Sequence, residues 1–218
     1  MAKLGKIIIG LILGTSIGLN LWQWQENKNN PNGYKVEGVI DGDTLVLEGN
    51  AKIRLRGVDA PELKFCGGEE AKKELEKLVN GKTVEIREKI MDLKARPMAL
   101  VYSDNILVNK KMIESGWAKY HSDVISKRQE LKTSGETARE NKLGIWSEMC
   151  RQTENKAEPK CKIKGNIDDN ARSRKIYYYP GCAQYEFTII EKNMGEEWFY
   201  SKEKAEAAGY QKSKNCKE

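Results

Sequence analysis

Three short runs between Tyr34 and Val58 constrain the fold most: YKVEGVI, TLVLEG and AKIRLRGV. Each is rich in Val, Ile and Leu. Turn-formers separate them, Asp-Gly-Asp at Asp41–Asp43 and Gly-Asn at Gly49–Asn50. Short branched-aliphatic runs joined by tight turns predict a three-stranded meander.

The pattern then changes period. Ala71, Leu75, Leu78 and Val79 fall on one face of a 3.6-residue repeat, which predicts a helix that Gly81 ends. KTVEIRE and PMALVYS are two more strands, and Ser103-Asp104-Asn105 is a turn. ILVNKKMIESG reads as a short helix with Val108, Met112 and Ile113 on one side. Ser126–Leu143 reads as a longer polar helix, its end docked by Gly144-Ile145-Trp146. Five strands with a helix after the third is the order of an OB-type barrel. The expected class is therefore mainly β with helices (α+β). It comprises a five-stranded OB-fold barrel over 34–150, a small C-terminal α+β domain over 161–218 and an N-terminal apolar helix.

Polar stretches bound these parts. Residues 25–33 (QENKNNPNG) and 151–160, with the run QTENKAEPK, read as linkers. Beyond the second, KIYYY and EEWFY are strand candidates. SKEKAEAAG is a helix, with Ser201 as N-cap and Gly209 just past its end. Tyr177, Tyr178, Tyr179, Trp198 and Tyr210 are expected to pack a small core.

Residues 1–24 are of another kind. Lys3 and Lys6 precede the apolar run Ile7–Trp22, the pattern of an export signal. The run is near the roughly 17-residue lower limit for crossing a bilayer, and Trp22 and Trp24 sit where interfacial aromatics belong. No clear small-x-small cleavage site follows, so it reads as a signal anchor in preference to a signal peptide. The rest of the chain is then extracytoplasmic, membrane-anchored or secreted. The five cysteines suit an oxidising compartment, and their odd number leaves one unpaired in the monomer expected. The net charge of +6 favours polyanions but is too small to identify nucleic acid.

The chemistry-bearing residues form two groups. IDGDT (Ile40–Thr44) alone is a hairpin turn carrying acids. IRLRGVDAPE (Ile53–Glu62) adds Arg54 and Arg56 on one strand face, then Asp59 and Glu62 about a stiffening Pro61. Asp43, Asp59 and Glu62 can thus converge with an arginine at one barrel end. Gathered acids repel, and a hard cation such as calcium would relieve them. The alternative is a surface salt-bridge cluster.

VEGVIDGDTLVLEGNAKIRLRGVDAPE resembles the signature of the staphylococcal nuclease family. RPMALVY, GWAKY and NKLGIWSE are similar to its later segments, so the likeness covers about Tyr34–Glu148. The resemblance implies a calcium-dependent nuclease that hydrolyses phosphodiester bonds of DNA or RNA. It also implies the roles. Asp43, Asp59 and the Ala60 carbonyl bind calcium, and Asp41 supports them. Glu62 is the base on the attacking water. Arg54 and Arg96 hold the scissile phosphate.

Departures from the family pattern are visible. Asp92–Ala95 (DLKA) stands where the family has Tyr-Gly, so Lys94 replaces a tyrosine that meets the nucleotide. His121-Ser122-Asp123-Val124 replaces a stretch that often supplies stacking tyrosines, and His121 is expected to be a surface residue. The loop after Glu62 is short. The rival reading is a non-catalytic OB-fold module that binds nucleic acid or protein, and retention of all the acids and arginines favours the enzyme.

The C-terminal set CKIKGNI, KIYYYPGC and EEWFYSKEKAEAAGYQKSKNC resembles a small domain appended to some exported nucleases of this family. It is more faintly similar to a zinc module that needs four cysteines, of which only Cys182 and Cys216 are suitably placed. A Cys182–Cys216 disulfide is expected in an exported chain, and Cys150 with Cys161 is a second candidate pair.

Overall fold

The computed structural model describes residues 33–168 and 174–216. The described residues from Tyr34 onward belong to one compact unit. The apolar run Ile7–Trp22, with the expected anchor helix and nearly all of the first linker, lies outside the described residues. Among the described residues no helix is long and apolar enough to cross a membrane.

Strands β1 (Tyr34–Val39), β2 (Thr44–Leu47) and β3 (Ala51–Leu55) form the antiparallel meander. Alternation turns Val36, Leu45, Leu47, Ile53 and Leu55 into the core. A two-residue strand, β4 (Val58–Asp59), then leads through the 60–67 loop into helix α1 (Gly68–Val79). Ala71, Leu75 and Val79 are its buried face, as the spacing predicts. β5 (Thr83–Met91) and β6 (Pro97–Ser103) are antiparallel, and the short β7 (Ile106–Leu107) follows a turn in which Asp104 and Asn105 take positive φ. β1 pairs with β5, and β3 pairs in parallel with β6, so the five strands close into a barrel.

One side chain straps that closure. Asn109, in α2 (Val108–Glu114), is fully buried. Its Nδ2 donates to the carbonyls of Arg56 (2.9 Å) and Ala99 (3.1 Å), and its Oδ1 accepts the Val101 N–H at 2.8 Å. It thereby ties the end of β3 to β6 with both of its own amide donors and its acceptor satisfied.

Beyond β8 (Lys119–Tyr120), which pairs with β4, runs α3 (Arg128–Glu140). It is shorter at both ends than the 126–143 span expected. Ser126 is held by the Glu88 carboxylate, and Lys142 adopts φ 52°, which a helix cannot continue through. Ile145, in the turn that follows, is buried.

The second linker expectation begins with a strand. β9 (Arg151–Gln152) pairs with β12 (Ile190–Glu191). The C-terminal sheet has the order β13 (Glu197–Phe199), β10 (Ile163–Asp168), β11 (Arg174–Tyr178), β14 (Gln211–Lys212). Its core is Ile163, Tyr177, Phe199, Ala205 and Tyr210, with Tyr179 half-buried beside it. Helix α4 (Lys202–Ala207) starts on Ser201, whose Oγ accepts the Lys204 N–H. Lys164 is also buried, its ammonium donating to the carbonyls of Tyr185 and Thr188 at 2.8 Å each.

The cysteine pairing differs from expectation at one bond. Cys182 is bonded to Cys216. Cys150 is bonded to Cys66, not to Cys161, which stays buried as a free thiol. Tertiary packing decides this. Lys192 receives a bond from the Cys66 N–H through its carbonyl and gives its own N–H to the Cys150 carbonyl, so one turn clamps both half-cystines. Cys161 lies elsewhere, its thiol donating to Glu158 at 3.3 Å.

Candidate active site

The Asp-Gly-Asp turn is shaped from both sides. The Asp43 N–H donates to Asp41 Oδ1 at 3.1 Å, which curls the chain at Gly42. A Cβ on Gly42 would lie 2.5 Å from that of Ala71 and 2.6 Å from that of Ala60. Only glycine lets the turn sit against both α1 and the 60–67 loop. The result is that Asp43, 2% exposed, is buried at the barrel rim.

Its carboxylate is crowded with donors. Thr44 Oγ1 donates to Oδ1 at 2.9 Å and the Ala60 N–H to Oδ2 at 3.2 Å. Register places Arg54 opposite Thr44, and Arg54 Nη1 reaches Asp43 Oδ1 at 2.6 Å. Arg54 Nη2 reaches Asp59 Oδ1 at 2.9 Å. One guanidinium therefore bridges two carboxylates. Burial pushes Asp43 up to about 7, against the pull of Arg54 and with a push from Asp41. A buried carboxyl held this way favours a nearby positive charge.

Arg96 lies across a cleft of about 520 Å³ whose walls also carry Arg54, Asp59 and His121. The turn that bears it is organised by Asp92. One carboxylate oxygen accepts the N–H groups of Lys94 and Arg96 at 2.8 Å each, and the other accepts Arg96 Nε at 2.7 Å. These bonds hold Asp92 below its ordinary range. His121 is exposed on the cleft rim.

Glu62 stands apart from that cleft. It is exposed, borders a second hollow together with Asp59, and its carboxylate has no partner among the described residues. Its backbone is fixed instead. The Phe65 N–H donates to the Glu62 carbonyl at 2.9 Å, and a Cβ on Gly68 would fall 2.2 Å from that oxygen. The structure thus joins Asp43, Arg54 and Asp59 directly, sets Arg96 on the same cleft, and sets Glu62 on a second hollow that Asp59 also lines.

Arg56 does not belong to this cluster, despite sharing the strand face with Arg54 in the sequence pattern. It is buried, and it donates to Asp123 through Nε (2.7 Å) and Nη2 (3.0 Å), to the Glu88 carbonyl (3.0 Å) and to the Val124 carbonyl (2.8 Å). The Arg56 bonds hold Asp123 below its usual range. Glu88 sits in a bulge of β5 at φ 50°, and its carboxylate accepts from Ser126. Arg56, Glu88 and Asp123 therefore fix the loop that carries His121 against the cleft. Sequence reasoning missed this role, since its three members lie on separate strands and loops.

Fold and site together define an OB-barrel protein with an acid–arginine rim. The family model described as staphylococcal nuclease homologue matches residues 52–148. A probable staphylococcal-like nuclease, CAN2, of Oryza sativa subsp. japonica is 35% identical over 115 residues, 53% of this chain and 30% of that protein. An uncharacterized endonuclease of Haemophilus influenzae is 34% identical over 125 residues, 54% of this chain and 67% of that protein. One of Escherichia coli O157:H7 is 34% identical over 122 residues, covering 52% and 76% respectively. The chain belongs to the staphylococcal nuclease homologue family. It spans about a third of the length of the first plant relatives it matches.

Proposed function

We propose that this protein is a calcium-dependent nuclease hydrolysing phosphodiester bonds of DNA or RNA. The observation that carries the reading is the Arg54 guanidinium shared by Asp43 and Asp59, facing a cleft with Arg96 on its wall. Two guanidinium forks can each take two oxygens of one phosphate. In that arrangement Arg54 and Arg96 grip the scissile group and stabilise the charge that builds on it. Asp92 keeps Arg96 aimed, and Glu62, unpartnered among the described residues, accepts a proton from the attacking water.

The donor chemistry fits a hard divalent ion. Carboxylate oxygens of Asp43 and Asp59 already share one cation, and Asp43 is raised by burial in a way that a closer positive charge would reverse. Asp43, Asp59 and the Ala60 carbonyl would hold it. Among the described residues no group of three or more His, Cys, Asp or Glu side chains is placed to hold a metal ion, so the two carboxylates would need the Ala60 carbonyl, water and the substrate phosphate to complete the coordination. When bound, calcium would add positive charge beside the phosphate.

We also infer an extracytoplasmic setting, membrane-tethered or secreted through residues 1–24. Two disulfides support an oxidising compartment. The basic-then-apolar start of the chain supports export.

The test is cleavage of end-labelled single-stranded DNA with calcium, with magnesium, and in chelator, alongside Arg54→Ala. Cleavage in calcium alone, lost in the variant, is the expected result. Full cleavage in chelator would remove the metal assignment. No cleavage under any condition would leave the non-catalytic binding module as the reading.

A further inference from the structure

Asp59 is a wall shared by two hollows. On one side is the arginine cleft. On the other is a smaller hollow of about 200 Å³, bordered by Glu62, Phe65, Lys119, Asn193 and Met194. Asn193 and Met194 come from the C-terminal part of the chain, beyond the residues 52–148 that match the family model. This second hollow therefore owes one wall to a segment outside that match.

That wall is built rigidly. The turn carrying Asn193 is clamped to both half-cystines of the Cys66–Cys150 bridge through Lys192. Its far end, Gly195, lies against the Phe65 ring, so closely that a Cβ there would come within 2.6 Å. Asn193 is 4% exposed, yet its amide has no hydrogen-bond partner among the described residues. Its two donors and one acceptor are not among the fully enclosed polar atoms, so they meet open space, and the residue borders the hollow. Phe65, Met194, Pro61 and Ile145 supply apolar lining, and Asp59 and Glu62 stand on the same hollow. The ammonium of Lys119 stands 3.6 Å from Glu191, the carboxylate that pairs with it.

We propose that this hollow is a base-binding subsite. It takes one unstacked nucleobase of a single-stranded substrate, next to the phosphodiester gripped on the Asp59–Arg54 side. Phe65 and Met194 receive the faces of the base, and Asn193 reads its edge as a specificity-determining residue. The hollow is below the roughly 300–1,000 Å³ of pockets for drug-sized ligands, so it suits one ring system and not a stacked pair. A base must leave its stack to enter, which selects single strands. The inference rests on the nuclease reading above.

The experiment measures kcat/KM on short single-stranded DNAs cut at one defined bond, varying one neighbouring base at a time. It compares the unaltered protein with Asn193→Ala and Asn193→Asp, each checked for folding by thermal melt. At one neighbouring position the four bases should differ by about tenfold in the unaltered protein. Asn193→Ala should flatten that to about twofold. Asn193→Asp, which only accepts when ionised, should re-order the preference toward bases that present an amino group. If an Asn193 variant does not fold, Met194→Ala is read the same way. Cleavage whose base preference is absent, or is unmoved in the folded variants, overturns the subsite alone. A complete lack of cleavage by the unaltered protein would instead sink the nuclease reading.

Discussion

Replacing Asp123 by alanine should destabilise the barrel more than the residue's surface position suggests. Arg56 is 7% exposed and makes four hydrogen bonds, two of them to the Asp123 carboxylate. Isolating one member of a fully buried pair costs about 3–5 kcal/mol. Here the Asp123 side chain is 19% exposed, and the carbonyls of Glu88 and Val124 would still serve the guanidinium. The expected loss is therefore lower, about 2–3 kcal/mol. For a domain of this size that is a fall in Tm of roughly 5–10 °C. Urea denaturation followed by circular dichroism would show a reduced midpoint with an unchanged slope. The paired change Arg56→Met with Asp123→Ala should recover much of the loss, since no unpaired charge then remains buried. The pH dependence has a definite sign. Asp123 is held below its ordinary 3.8, so its stabilisation is fully present above that value and is lost as pH falls through the folded-state value. The gap between the unaltered protein and Asp123→Ala should close there. A loss under about 0.5 kcal/mol at neutral pH, with no change in the gap on acidification, would refute the argument.

Three further outcomes follow from the geometry. Asn109→Leu strands the Arg56 carbonyl and the Val101 N–H at the barrel seam, while the Ala99 carbonyl keeps the Arg56 N–H, and should cost about 2–3 kcal/mol in a chemical melt. Cys66→Ser with Cys150→Ser opens a loop of 84 residues and should cost about 4–5 kcal/mol by the chain-entropy relation, measured under the same oxidising conditions. Glu62→Gln should abolish most cleavage while leaving Tm within about 1 °C, because the carboxylate is exposed and unpartnered among the described residues; a large drop in Tm would show it to be structural.

Much of the acid–arginine rim was legible in the chain because its members are local. Asp41 and Asp43 share a turn, and Arg54 is set beside them by a two-strand register that alternation and a short hairpin dictate. Arg56 shows the limit of that logic. Its place in the sequence puts it with Arg54, but the strand ends at Leu55 and a loop 67 residues away supplies its partner. The cysteines show the same limit, since Cys161 is nearer Cys150 in sequence than Cys66 is, and the bond forms with Cys66.

Hydrophobic periodicity and turn chemistry are properties of neighbouring residues. They determined, from the sequence by itself, the five barrel strands, the buried face of α1 and the acids of the Asp-Gly-Asp turn. Through-space contacts between distant segments were decided only by tertiary packing. These include the parallel seam strapped by Asn109, the Cys66–Cys150 bond and the wall that Asn193 builds beside Glu62. Their energy comes from burial and closure of the whole chain, and no local pattern encodes which distant partner completes them.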